Sequence, residues 1–198
     1  MPTRIALFAL GIGLAFPAFA QQPAQDEPQR QLGAHAHGQG KLSIAVEKRT
    51  VEMEFEAPGS DIVGFEHAAK TAEQKTAITK ARALLAKPLA LFKLPDAAGC
   101  KVSSAKVKLV GGGDHHGHGH GHGKAAKDKQ AAAPHSEFHA EYTLTCAKPE
   151  LLKAIDFDYF KTFTGAQALD VSIIGGKGQQ TKHTVTRDKP TLALKGTS

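Results

Sequence analysis

Between residues 41 and 57 apolar and polar side chains alternate along two successive runs. Leu42, Ile44 and Val46 alternate with Lys41, Ser43, Ala45 and Glu47; past Lys48-Arg49, Val51, Met53, Phe55 and Ala57 alternate with Glu52, Glu54 and Glu56. A period of two puts each set on its own face of a strand, so the runs predict a hairpin with one buried and one wet face. Its turn lacks the Asn-Gly or glycine that two-residue connections favour. The three glutamates are read as the solvated side of the hairpin rather than as a cation site.

Pro58-Gly59-Ser60 interrupts the alternation, and the period then changes. Thr71-Ala72-Glu73-Gln74 is a capping box. After it Ala77, Ile78, Ala81, Leu84 and Leu85 recur at helical spacing, with Lys75, Lys80, Arg82 and Lys87 on the other side. Pro88 ends this helix for want of a backbone donor, and Leu89, Leu91 and Phe92 continue the burial. Val102 to Val110 and Glu137 to Cys146 predict two more strands. Behind Lys148-Pro149-Glu150, the residues Leu151, Leu152, Ile155, Phe157, Phe160 and Phe163 are read as a short helical segment. Leu169 to Ile174, Thr181 to Arg187 and Thr191 to Leu194 close the chain as strands. Gly175-Gly176-Lys177-Gly178 is a turn; it lacks the Walker spacing and no helix pattern follows. This order predicts an α+β domain over residues 35–198, a mostly antiparallel sheet with helices packed on one face.

The chain start changes the chemical setting. Arg4, an apolar run from Ile5 to Phe16 and Ala18-Phe19-Ala20 make a secretory signal peptide over residues 1–20, cleaved after Ala20. The apolar run is shorter than the roughly 18–20 residues of a membrane span, so an uncleaved anchor is the weaker reading. No cysteine follows the cleavage site, and a mature form without a membrane anchor, in the periplasm, is expected. Residues 21–34 are polar, proline-containing and aperiodic, a disordered leader.

Export also decides how the cysteines read. In an oxidising compartment Cys100 and Cys146 are expected as a disulfide, with free thiols the alternative; no Cys-x-x-Cys argues for metal or redox chemistry. Antiparallel pairing with Cys100 opposite Cys146 would set Leu109 opposite Glu137 and leave residues 111–135 as a loop at the far end of the hairpin. The formal charge of +6 falls to +5 without Arg4. A basic balance invites nucleic acid, but aromatic and basic residues do not interleave and no DNA-reading motif is present, so that partner is excluded.

The loop carries the chemistry. In "DHHGHGHGHG", His115, His116, His118, His120 and His122 stand among glycines. Imidazole is the commonest ligand for zinc, copper and nickel. Glycine lets neighbouring rings turn toward one ion but builds no site in advance. Such a tract binds several ions, exchanges them quickly and discriminates poorly; a plain linker would need no histidine. A more selective site is expected from His35, His37, Glu66, His67, His135, Glu137 and His139. In a strand His135, Glu137 and His139 share one face. Zinc takes three or four nitrogen or oxygen donors at about 2.0–2.2 Å, which His37, His67, His139 and a carboxylate could supply. His183 stands alone and is read as structural.

The phrases "HAHGQGKLSIAVE" and "APGSDIVGFEHAAKTAEQK", and the histidine-rich insert followed by "HSEFHAEYTLTC", together resemble the ZrgA family of bacterial periplasmic zinc-binding proteins. The resemblance implies a small α+β protein that binds Zn2+ in its histidine-rich loop and in a structured site and assists zinc uptake. It lays the family's His-x-His on His35 and His37, its Gly-Phe-Glu-His on Gly64 to His67 and its insert on His115 to His122. The turn at Lys48-Arg49 departs from the glycine-bearing turn expected there.

The function expected is capture of zinc and delivery to uptake machinery in the cell envelope. A nickel, cobalt or copper carrier or buffer is the alternative. A zinc-dependent enzyme ranks below both, because no His-Glu-x-x-His and no Ser/His/Asp or cysteine nucleophile is legible.

Overall fold

The predicted hairpin forms with Glu47 opposite Thr50 and Val46 opposite Val51. Lys48 supplies the positive φ (53°) that glycine or asparagine usually gives such a turn. Strands β1 (Gln39–Glu47) and β2 (Thr50–Pro58) bury Leu42, Ile44, Val46, Val51, Met53, Phe55 and Ala57 and expose the glutamate side. The structure, a computed structural model, describes residues 37–112, 135–176 and 178–194. The signal peptide, the leader, His35 and the tract His115–His122 lie outside the described residues.

Helix α1 (Gly59–Val63) follows β2, and α2 (Ala72–Leu85) starts at the capping box, where Thr71 Oγ1 accepts from the Gln74 amide. Next come α3 (Pro88–Leu91), β3 (Phe92–Lys93), β4 (Cys100–Val110) and β5 (Glu137–Cys146). The chain ends with β6 (Ala154–Phe157), α4 (Tyr159–Thr162), β7 (Ala168–Ile174), β8 (Gln180–Thr186) and β9 (Thr191–Ala193). Six strands form one sheet in the order β4-β5-β2-β1-β7-β8, antiparallel except where β1 meets β7. The short strands β3, β6 and β9 form a second, antiparallel sheet.

The protein is thus mostly sheet, with few helices, and the sheet is mixed at its centre. Its core is aromatic: Phe55, Phe92, Phe157, Tyr159 and Phe160 pack ring against ring, with Phe92 to Phe157 at 5.9 Å and Phe55 to Tyr159 at 5.3 Å. Buried Tyr142 of β5 donates its hydroxyl hydrogen to Leu85 O (2.9 Å), tying the sheet to the last turn of α2. Burial pushes the Tyr142 hydroxyl far above its usual value, so it remains a donor.

Two expectations are corrected. The segment after Pro149 is not one helix: a 3-10 turn (Pro149–Leu151) leads into β6, and only α4 is helical. Ile155 and Phe157 are buried with exposed Asp156 between them, a period of two that the surrounding apolar residues obscure. Cys100 does pair with Cys146, as a disulfide with Cα atoms 3.9 Å apart. A bulge between Val102 and Ser104, however, slips the register by one residue, so Glu137 faces Val110 and Leu109 faces Phe138.

Candidate metal site

Where β2 ends, Pro58 turns the chain into α1, and Gly64 reverses it with a left-handed φ of 83°. Residues 65–68 then run beside the start of β5. The Ser136 amide donates to Glu66 O (2.8 Å), and the Gly59 amide donates to Ser136 O (2.7 Å). A Cβ at Gly59 would stand 2.4 Å from Ser136 Oγ and 2.6 Å from Phe65 O, so only glycine permits this joint. It fixes His135, the residue at which the histidine-bearing segment returns to the body. Gly112, where that segment leaves, also faces the joint, since a Cβ there would lie 3.1 Å from Ser136 Cβ and 3.8 Å from Ala68 N.

Glu66 is the centre of the joint, with its side chain 10% exposed. Its Oε1 accepts from Ser60 Oγ (2.8 Å) and stands 3.2 Å from His37 Nε2; its Oε2 takes a close hydrogen bond from His135 Nδ1. Burial alone would raise its pKa, but the hydrogen bonds from Ser60, His135 and His37 outweigh burial and hold the carboxyl below its ordinary value. The carboxylate is therefore charged, and both imidazoles reach it from the solvent side.

The backbone beside His37 is held as firmly. The Gly38 amide donates to Asp61 Oδ1 (2.8 Å), and Gly38 O accepts from the Gln167 and Ala168 amides, both at 2.8 Å. Residues 160–166 are in turn gathered by Arg187, whose guanidinium donates to the carbonyls of Phe160 (2.9 Å), Thr164 (2.7 Å) and Ala166. Asp61, Ser136 and Glu137 are the buried polar or charged residues among those described, and Asp61 and Ser136 both belong to this joint. Burying such groups is unfavourable without hydrogen bonds, and the fold concentrates that cost here.

The predicted ligands fall into separate groups. His37, Glu66 and His135 come together. His139 goes elsewhere: its Nε2 donates to Glu137 Oε2 (2.6 Å), and its Nδ1 stands 3.8 Å from Glu56 Oε1, the residue opposite it on β2. His135 precedes β5 and does not share the strand face of Glu137 and His139. His67 stacks on Phe65 at 5.1 Å, and its Nδ1 bonds Ala68 O at 2.9 Å. A ring nitrogen donating to a backbone carbonyl leaves the other as a lone-pair donor, the usual arrangement of a metal-binding histidine. His183 is exposed on β8, opposite Val171.

Among the described residues no three His, Cys, Asp or Glu side chains stand as a ready-made metal cage. The fold instead presents one carboxylate with two imidazoles bonded to it. Donor atoms about 2.0–2.1 Å from a tetrahedral zinc are about 3.3 Å apart; the His37–Glu66 pair, at 3.2 Å, already has that edge. Sequence reasoning missed Ser60 and Asp61, which carry no ligand spacing of their own, and set Glu56 aside with the solvated glutamates of the hairpin.

A family model described as the ZrgA family zinc uptake protein matches residues 34–194. The chain belongs to the ZrgA family. No match was found among curated proteins. The ZrgA match runs from the residue before His35 to the residue after β9, and so spans the joint, the histidine tract and both sheets. It associates the chain with zinc uptake, a role that is not in itself catalytic. Among the described residues no helix is long and apolar enough to cross a membrane.

Proposed function

We propose that the chain is an exported, periplasmic zinc-capture protein that loses residues 1–20 and hands zinc to uptake machinery in the cell envelope. His115, His116, His118, His120 and His122, with His35, form a collecting arm of weak, fast-exchanging sites. His37, Glu66 and His135 form the tight site, with His67 Nε2 within the same loop as a further donor. Glu137 and His139 are a second, weaker pair. Zinc is cargo here, and no group is assigned a catalytic role.

The observation that carries this reading is that His135, where the histidine segment rejoins the body, bonds the same carboxylate as His37, some hundred residues away in sequence. A collecting arm whose root is itself a ligand passes ions to the site without releasing them to bulk solvent.

The test is calorimetric titration of the mature chain with zinc, beside a variant lacking His115–His122 and beside Glu66→Gln. The loop deletion is expected to lose the weak sites and keep a tight one. Glu66→Gln is expected to do the reverse. A loop deletion that binds nothing would make the body a scaffold only. Tight-site competition by nickel, cobalt or copper at equal concentration would move the reading to a general late-metal carrier.

A further inference from the structure

We propose that Ser60 and Asp61, adjacent in the first turn of α1, are positioning residues for the zinc site, one setting Glu66 and the other the backbone beside His37. The inference rests on the reading of that site given above.

Serine and aspartate at a helix start ordinarily cap the helix, accepting from its free amides. Here they do not: α1 follows Pro58 and has no side-chain cap. Both side chains are directed out of the helix and onto the site. Ser60 Oγ has one hydrogen, and its short bond goes to Glu66 Oε1 (2.8 Å), with Asp61 Oδ1 farther off at 3.3 Å. Asp61 Oδ1 accepts from Gly38 N, 23 residues earlier in the chain. One turn of backbone thus holds two ligand-bearing segments, 37–38 and 66, at a fixed separation.

Asp61 is 4% exposed and cannot reach an ion in solvent contact, so its action is through Gly38. Its backbone is also closely packed. A Cβ on Gly165 would stand 2.7 Å from Asp61 O, in the turn that Arg187 clamps. Its other oxygen, Oδ2, is buried and has no hydrogen-bond partner among the described residues, as is the case for Tyr159 Oη. A buried carboxylate oxygen left unpaired is unfavourable, and the fold retains it at the residue that receives the Gly38 amide. Gly38 has a φ of 83° and its carbonyl is held by Gln167 and Ala168, so the Asp61 bond fixes the amide side of the residue; without it the His37 side can turn away from Glu66.

The experiment measures tight-site affinity of the full mature chain for zinc against a competing chelator, for wild type, Ser60→Ala, Asp61→Ala and Asp61→Asn, with urea midpoints of the metal-free proteins recorded separately. Removing a residue that orients a ligand costs 10–100-fold in metal affinity. Asp61→Ala is expected to weaken the tight site about tenfold or more and Ser60→Ala about threefold or more. Asp61→Asn keeps the acceptor for Gly38 and is expected to stay within about threefold of wild type, a rescue that general loss of stability would not produce. Affinities of Ser60→Ala and Asp61→Ala within twofold of wild type would overturn the proposal, as would an Asp61→Asn as weak as a folded Asp61→Ala. Should Asp61→Ala not fold, Ser60→Ala and Asp61→Asn decide it, by loss in the first and retention in the second. His37→Ala and Glu66→Gln run alongside: unchanged affinity in both rejects the site itself, whereas weakened affinity there with none in the bracket variants rejects only the bracket.

Discussion

Replacing both cysteines, Cys100→Ala with Cys146→Ala, removes the link that closes 46 residues of sequence, the histidine segment included. In the chain-entropy account a loop of that size costs the unfolded state roughly 13.5 cal/mol/K when cross-linked, about 4 kcal/mol at 25 °C. Domains of this length have about 5–15 kcal/mol to lose, so the variant stays folded at 25 °C, with a thermal midpoint about 8–16 °C lower. The bridge closes one end of the β4–β5 ribbon and His135 stands past the other, where Val110 faces Glu137. Ten residues of strand separate them, about 33 Å. Stability should therefore fall while tight-site zinc affinity stays within about twofold. Urea unfolding of the metal-free proteins and zinc competition measure the two quantities. A stability loss below ~1 kcal/mol, with the wild-type disulfide verified by mass, would refute the entropy argument. Collapse of zinc affinity in a folded variant would refute the separation of bridge and site.

Three further outcomes follow from particular contacts. Tyr142→Phe leaves Leu85 O without its buried donor and should cost about 1–2 kcal/mol in urea unfolding with zinc affinity unchanged. Gly59→Ala drives a methyl group into Ser136 Oγ and Phe65 O; overpacking of this kind costs about 1–3 kcal/mol, and because the strain falls on the joint, zinc affinity should fall with it. Glu66 is held below the ordinary glutamate value of 4.5, so its contribution to metal-free stability is fully present above that pH and is lost as pH falls through its lower folded value. Glu66→Gln should thus be less stable than wild type at pH 7, by about 1–2 kcal/mol, and the gap should close in urea titrations repeated below pH 4.

What the sequence revealed depended on whether a pattern was local. β1, β2 and α2 were legible because burial on one face writes a period into neighbouring residues. In β4 the alternation is interrupted: Val102 is 42% exposed, whereas past the bulge Ala105, Val107 and Leu109 pack against the core, so the register changes within the strand where no local pattern announces it. The parallel pairing of β1 with β7 left no mark, because Leu169, Val171 and Ile173 would alternate with Asp170 and Ser172 in either direction. At the site, His37, Glu66 and His135 were singled out by residue type, but their grouping is tertiary. Ser60 was read only as part of the break after β2 and Asp61 was not singled out, because the reach to Glu66 and Gly38 is tertiary.

The seat of Gly38 on Gln167 and Ala168 also imposes an order of assembly. The His37 side of the joint at Glu66 is complete only when β7 docks beside β1, a contact of long sequence separation and so among the slower to form. On the proposed reading, selectivity for zinc is thus a property of the completed fold and of no segment taken alone.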